Sequence, residues 1–520
     1  MNPPTPRRDR VAGVLLHPTS LPGPHGVGDL GAGAYRFVEF LERARQGLWQ
    51  IMPLAPVGLG NSPYAAGSAF AGNPLLIALD QLVGRGWLDP GSIEAAPFPA
   101  ERADYAAAGE IKERCLRQAF ARFGRVASAE DRVAFATFAE AESHWLADYA
   151  LFCAIKHSQG GRFWLEWPRP LRLREAGALV AAAKDLADEV AFHQWVQWLF
   201  AGQWESVRSY ANVRGIRIIG DIPIFVALDS ADVWTHRHQF LLDEHGRPTV
   251  VAGVPPDAFS ETGQRWGNPL YAWDRMAADG YRWWVARFKA TFRHVDVVRL
   301  DHFRGFQAYW EVPATEETAI NGRWVPGPGQ ALFDAVSDAL GHLPIVIEDL
   351  GEITPDVIQL AATLGFPGMK VLQFAFGDDA GRDPVGDSPY LPHNFVQDCV
   401  VYSGTHDNDT SAGWYAHLGD AERESLLCYA PWVADEPAGS LVRMAYASVA
   451  DWAIVPLQDV LGLGSEGRMN VPGVPDGNWE WRFAPEALTD AHAARLSGLV
   501  GAYGRARAAA SSQIGARAGV

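Results

Sequence analysis

Three observations predict an α/β protein built as a (β/α)8 TIM barrel. Eight apolar runs of strand length lie along the chain, and the later ones are separated by amphipathic helical patterns. That order is the pattern of parallel strands joined by crossover helices. Three of the runs lead into an acid at their C-terminal end: Val295–Asp301, Ile345–Glu348, and Cys399–Ser403, which continues to Asp407. A carboxylate costs several kcal/mol to bring into a buried place unless it is paired. Acids at equivalent ends of several strands therefore describe a barrel whose chemistry sits on its C-terminal face.

The strands Val11–His17 and Trp49–Leu54 come first. Residues 56–200 are too long for a simple crossover and read as an inserted, mainly helical subdomain, with helical stretches over 109–122 and 134–157. The clearest helix spans Glu189–Arg214, where Phe192, Trp195, Val196, Leu199 and Phe200 recur at three- and four-residue spacing. Gly215 is its expected C-terminal cap, and the third strand, Ile216–Val226, follows at once. Residues 228–281 carry turn signals and few helical ones, and read as an inserted loop subdomain containing a candidate lid at 253–266. Helices over Tyr281–Arg293 and Gln330–Leu340 precede Val295–Asp301 and Ile345–Glu348. A short helix around Ala361 leads into Met369–Phe374, and Cys399–Ser403 and Trp452–Leu457 complete the eight. Too little chain follows for a C-terminal β-sandwich domain, so 1–520 is expected to be one catalytic barrel with insertions.

Composition narrows the partners. The 520 residues are 48% hydrophobic and 20% charged, ordinary for a globular enzyme. A net charge of −17 repels phosphate backbones, so no nucleic-acid partner is expected. The four cysteines, Cys115, Cys153, Cys399 and Cys428, form no C-x-x-C pair and read as reduced thiols of a cytoplasmic protein. No signal peptide and no run of 18 apolar residues is evident, so no membrane association is expected. The 20 tryptophans serve either core packing or flat platforms for sugar rings.

The strand ends carry the chemistry. Arg299 and Asp301 are two apart and share a strand face. An arginine beside a carboxylate favours its ionised form, as a nucleophile requires; the competing reading is a structural ion pair. Glu348 follows three β-branched residues, where desolvation raises a carboxyl toward the range of a general acid. Its competing reading is a helix-capping acid, and Asp349 alternates to the opposite face. His406, Asp407 and Asp409 cluster after another strand. They read as a metal site or as a His–Asp pair gripping sugar hydroxyls; the other strand ends supply few further histidine ligands, which favours the second. Asp221 is either a structural orderer or a binding residue. Acids at shared strand ends with no evident metal cage point to glycosidic bond chemistry without a metal.

Short motifs run in order through nearly the whole chain: Leu16-His-Pro-Thr-Ser-Leu-Pro22, Ser62-Pro-Tyr64, Ser68-Ala-Phe-Ala-Gly-Asn-Pro74, Gly220-Asp-Ile-Pro-Ile-Phe225 and Gly253-Val-Pro-Pro-Asp257. Phe259-Ser-Glu-Thr-Gly-Gln-Arg-Trp-Gly-Asn-Pro269, Arg299-Leu-Asp-His-Phe303, Glu348-Asp-Leu-Gly351, Pro367-Gly-Met-Lys370 and Gly404-Thr-His-Asp-Asn-Asp409 follow, with Pro472-Gly473 and Gly477-Asn-Trp479 near the end. The set resembles the α-amylase superfamily and, within it, the 4-α-glucanotransferase (amylomaltase) family, glycoside hydrolase family 77. That resemblance implies a retaining transferase of α-1,4-glucan segments with no metal and no organic cofactor. Its substrates would be maltooligosaccharides, amylose, starch or glycogen dextrins, with cyclic glucans as products of intramolecular transfer.

By the same likeness Asp301 is the nucleophile, Glu348 the acid/base and Asp407 the transition-state stabiliser. Arg299, His302 and His406 complete the donor subsite, Tyr64 stacks on the donor glucose, and Asp221 orders the site. Phe259, Glu261, Gln264 and Trp266 belong to the lid near the acceptor, and Phe374 and Asp378 line the cleft beyond. Two positions depart from the family's bacterial pattern: Ala258, where an aromatic is common, and Leu59, where a tyrosine that binds glucan away from the active centre is expected. A retaining α-glucan hydrolase would use the same carboxylates and is the alternative. A non-catalytic sugar-binding barrel would need to have lost one of them.

Overall fold

A computed structural model describes residues 9–93, 97–256, 260–376 and 385–506. In chain order its strands are β1 (Val11–Leu15), β2 (Leu48–Gln50), β3 (Arg217–Pro223), β4 (Val250–Val254), β5 (Gln264–Pro269), β6 (Val297–Asp301), β7 (Ala308–Pro313), β8 (Arg323–Pro326), β9 (Ile345–Ile347), β10 (Gly368–Val371), β11 (Cys399–Tyr402) and β12 (Trp452–Pro456). Eight of them pair in the order β10-β11-β12-β1-β2-β3-β6-β9, all parallel. The Ile347 amide donates to Pro367 O at 3.0 Å, which brings β9 back to β10. The result is the expected (β/α)8 barrel.

The barrel strands are shorter than the apolar runs that announced them. β2 ends at Gln50 although the apolar run continues to Leu54, and β3 ends at Pro223, which has no N–H to extend a ladder. The residues beyond leave the ladder as loops at the C-terminal mouth.

The helical insertion also differs in detail. The expected helices over 109–122 and 134–157 are Tyr105–Val126 and a broken pair, Ala129–Ala141 and Ser143–Ser158. At the break, the Glu142 carboxylate accepts from Trp145 Nε1 at 2.7 Å and from both Nη atoms of Arg293. Arg293 lies 151 residues away in sequence, so local periodicity carries no sign of the break. The helix Ala187–Val213 ends where expected, with Gly215 at φ 78° in the left-handed region that favours glycine. Most of the 20 tryptophans are buried, and Trp49, Trp164, Trp167, Trp195, Trp204, Trp234 and Trp284 are among the largest fully buried side chains.

A second sheet was not legible in the sequence. β4, β5, β7 and β8 form an antiparallel sheet in the order β5-β4-β7-β8. β5 reads Gln-Arg-Trp-Gly-Asn-Pro, with no alternation and a glycine at φ 81°. Its extended state comes from pairing with β4, where a register shift between Val251 and Gly253 accommodates it. Pairing has overridden local propensity here.

The insertion is held to the barrel by a buried charge pair. Lys112 Nζ donates to Asp29 Oδ2 at 2.9 Å and to Ile77 O at 2.5 Å, with side chains 1% and 7% exposed. Removing one partner strands the other charge away from water. Lys112→Met should therefore lower the unfolding free energy by about 3–5 kcal/mol in urea titration. The double variant Lys112→Met/Asp29→Leu should lose less than the single one; equal or greater loss would show that the pair itself is not the source.

Candidate active site

The C-terminal ends of the barrel strands open into a cleft of about 1150 Å³ whose wall includes Tyr64, Arg299, Asp301, His302, Glu348, His406 and Asp407. Strand register explains the convergence. Leu300 pairs with Ile347 across β6 and β9, so the next residues outward, Asp301 and Glu348, leave the barrel side by side. Asp221 pairs with Arg299 across β3 and β6.

Arg299 is the pivot. It is 3% exposed, and its Nη1 donates to Asp221 Oδ2 at 2.6 Å and to Asp301 Oδ1 at 2.9 Å. Burial works against its charge, but Asp221 and Asp301 hold its pKa well above the usual arginine value. Asp221 lies behind Arg299 and is not part of the cleft wall. Burial pushes its carboxyl up and Arg299 pulls it back. Tyr64 Oη donates to Asp221 Oδ2 at 2.7 Å and lies 2.9 Å from His406 Nε2. The Tyr64 and His406 rings stack, with centroids 5.3 Å apart and planes 15° from parallel.

The acids sit in different surroundings. Glu348 accepts from the amides of His302 at 2.7 Å and Leu350 at 3.0 Å. Desolvation nonetheless dominates, with Asp301 adding to it against Arg299, and the carboxyl is pushed up to about 7. Asp407 Oδ1 accepts from Asn470 Nδ2 at 2.6 Å, and Oδ2 lies 3.3 Å from His406 Nε2. Burial opposes its ionisation, but His406 and Asn470 hold it well below the usual carboxylate range. Its side chain is still 43% exposed to the open cleft, so solvent moderates that pairing. His302 has φ 51° and lies edge-on to Trp266 at 4.9 Å; burial lowers its pKa to about 4, leaving a neutral ring.

Gln264, Trp266 and Phe374 also reach the cleft wall, with Trp266 Nε1 donating to Gln264 Oε1 at 3.1 Å. Glu261 is exposed between β4 and β5 and is not on that wall. Phe259, Ala258 and Asp378 lie outside the described residues. Asp349 faces away from the cleft, accepting from the Met369 amide at 2.7 Å. Asp409 Oδ2 accepts from Ser465 Oγ at 2.6 Å. Among the described residues no group of three or more His, Cys, Asp or Glu side chains is arranged to hold a metal ion, and no helix is long and apolar enough to cross a membrane.

Three contributors have no role assigned from the sequence. Asn470 holds Asp407 from 63 residues away, in a stretch without regular structure. Arg468 Nη2 donates to Asp407 O at 2.9 Å. Trp479 packs against Tyr64 and His406 at 5.7 and 5.9 Å. Of these, Trp479 alone had a signal, in the Gly477-Asn-Trp motif.

The profile of glycoside hydrolase family 77, described as 4-alpha-glucanotransferase, matches residues 16–489. The chain belongs to the 4-alpha-glucanotransferase family. It is 51% identical to the 4-alpha-glucanotransferase of Thermus thermophilus over 507 residues, covering 95% of this chain and 99% of that one. It is 50% identical over 501 residues to that of Synechocystis sp., covering 95% and 98%. The amylomaltase of Streptococcus agalactiae, solved in complex with acarbose, superposes with a TM-score of 0.90 at 38% identity, covering 95% and 99%.

The Glu348 environment has a consequence for stability. Its folded pKa of about 7 lies above that of a free glutamate, so the folded state holds the proton more tightly than the unfolded chain. Stability from this group is present at low pH and is lost as pH rises through about 7. Glu348→Gln cannot ionise, so its melting temperature should gain on the wild type between pH 5 and pH 8. Calorimetry at both values checks this; an unchanged difference would mean that Glu348 is not held protonated.

Proposed function

We propose that this family member transfers α-1,4-glucan segments by retaining double displacement, with Asp301 as nucleophile and Glu348 as acid and base. The observation that carries the reading is the asymmetry of two neighbouring carboxyls. Arg299 donates to Asp301, while burial keeps Glu348 protonated up to about pH 7. In the first step Glu348 gives its proton to the glycosidic oxygen as Asp301 attacks the anomeric carbon. The leaving chain departs, and the donor glucosyl remains bonded to Asp301. In the second step Glu348, now a carboxylate, takes the proton of an acceptor hydroxyl, which displaces Asp301. Asp407, oriented by Asn470 and His406, accepts from ring hydroxyls. Arg299, His302, His406 and Tyr64 complete the donor subsite, and Asp221 orders it. The acarbose complex of the Streptococcus agalactiae amylomaltase supports a sugar ligand in this cleft.

The substrates in this reading are maltooligosaccharides, amylose and starch or glycogen dextrins, handled in the cytoplasm without metal or organic cofactor. Residues 1–520 act as one catalytic barrel. The insertions at 56–200 and 228–281 wall the cleft, Gln264, Trp266, Glu261 and Phe259 belong to a lid over 253–266, and Phe374 and Asp378 line the cleft beyond it. Water must be kept from the intermediate for transfer to win. Trp266, 38% exposed at the cleft, is the described lid residue best suited to cover an acceptor sugar.

The role assignment predicts opposite fates for two variants. Asp301→Asn should form no covalent glycosyl-enzyme. Glu348→Gln should lose about 10²–10⁴-fold in kcat on maltotriose yet still be glycosylated by a glycosyl fluoride, whose leaving group needs little protonation. Mass spectrometry of the trapped enzymes reads both, and the reverse pattern would exchange the roles.

Product analysis separates transferase from hydrolase. Maltotriose should give glucose and longer oligomers with the number of reducing ends nearly constant. Trp266→Ala should release more reducing ends per transfer event. A wild type whose reducing ends rise with every cleavage would be a hydrolase, and an unchanged ratio in Trp266→Ala would remove that residue from the lid.

A further inference from the structure

The motif Leu16-His-Pro-Thr-Ser-Leu-Pro22 has no part in the mechanism above, yet two of its side chains lie behind the site. His17 and Ser20 follow β1 and are buried. They share a cavity of about 20 Å³ with His406. Three buried polar atoms on those side chains have no hydrogen-bond partner among the described residues: His17 Nδ1, Ser20 Oγ and His406 Nδ1. Leaving such atoms unpaired is costly. The cavity exceeds the roughly 10–15 Å³ that one water requires, and buried waters make about three hydrogen bonds.

The proton positions follow from the contacts in front of His406. Tyr64 Oη gives its proton to Asp221, so toward His406 Nε2 it can only accept. Asp407 Oδ2, on the same side, also accepts. His406 Nε2 must therefore carry a proton. The charged and titratable groups facing His406 are Asp407, Tyr64, Asp221, Arg299 and His17. Desolvation and Arg299 disfavour its cation, but Asp407 and Asp221 outweigh them and raise its pKa. In the cation Nδ1 carries a proton too and needs an acceptor on the cavity side. His17 can be that acceptor: burial and the neighbouring His406 push it down to about 3, so it stays neutral.

We propose that His17 is a positioning residue for His406, acting through one buried water that accepts from His406 Nδ1–H and donates to His17 Nδ1 and Ser20 Oγ. The relay fixes the His406 ring, and with it the charge facing Asp407. The functional part of this inference rests on the donor-subsite role proposed for His406 and Asp407.

Histidine-selective ¹⁵N NMR on the full-length protein tests it without substrate. In the wild type at pH 6, His17 should be neutral with a bare Nδ1, and His406 should carry protons on both nitrogens. In His17→Leu the His406 midpoint should fall by about one pH unit, the size expected for losing one buried hydrogen bond. Its kcat should fall while KM stays within about twofold. His17→Asn, whose carboxamide oxygen can occupy the Nδ1 position, should keep both the midpoint and kcat near wild type. A protonated Nδ1 on wild-type His17 would overturn the proposal, and that result needs no variant to fold. So would an unchanged His406 midpoint in His17→Leu, or a midpoint in His17→Asn as low as in the leucine variant. Because the titration is read without turnover, failure here leaves the roles of Asp301 and Glu348 standing, and failure of those roles leaves the ring data intact.

Discussion

A guanidinium shut inside a barrel must find carboxylates, and Arg299 finds two. Its contacts with Asp221 on β3 and Asp301 on β6 join adjacent strands. With the Asp221 side chain 1% exposed, losing Arg299 would leave that carboxylate buried without its cation. The same contacts aim Asp301 at the cleft. From Asp221 the hydrogen bonds continue through Tyr64 to His406, which in turn faces Asp407. One buried cation thus ties an acid behind the site, on β3, to acids on β6 and in the loop after β11 that face a single opening.

The acids in that opening are chemically alike and electrostatically distinct. Glu348 accepts two backbone N–H groups and lies near Arg299, all of which favour the anion. Desolvation and the negative charge of Asp301 outweigh them. Asp407 is held the other way by His406 and by Asn470. Environment separates identical functional groups: desolvation wins at Glu348, and the His406 and Asn470 contacts win at Asp407.

Segments outside the barrel complete the walls that the strand ends begin. The antiparallel sheet brings Gln264 and Trp266 to one side of the cleft. Helix Ser143–Ser158 supplies Lys156, whose Nζ donates to Asp229 Oδ2 at 2.5 Å in the loop after β3. Under the proposed roles, the reacting carboxyls sit at strand ends and the lid residues on peripheral segments. This is the usual division in barrels whose strands carry the chemistry and whose loops carry specificity.

Much of the molecule was written in local pattern. The eight barrel strands show as apolar runs because parallel strands are buried on both faces. Arg299 and Asp301 share a face by simple alternation, and Glu348 declares itself by following three β-branched residues. Other features had no local signature. β5 is extended because β4 pairs with it, and the helix break at Glu142 answers to Arg293 from a distant segment. Asn470 reaches Asp407 across 63 residues, and His17 meets His406 through a cavity that exists once the barrel closes. Periodicity records which residues must be buried, whereas partner choice, desolvation and the resulting proton positions depend on groups far apart in the chain. Those were decided by the tertiary structure, because electrostatic energies inside a protein are set by what surrounds a group rather than by what precedes it.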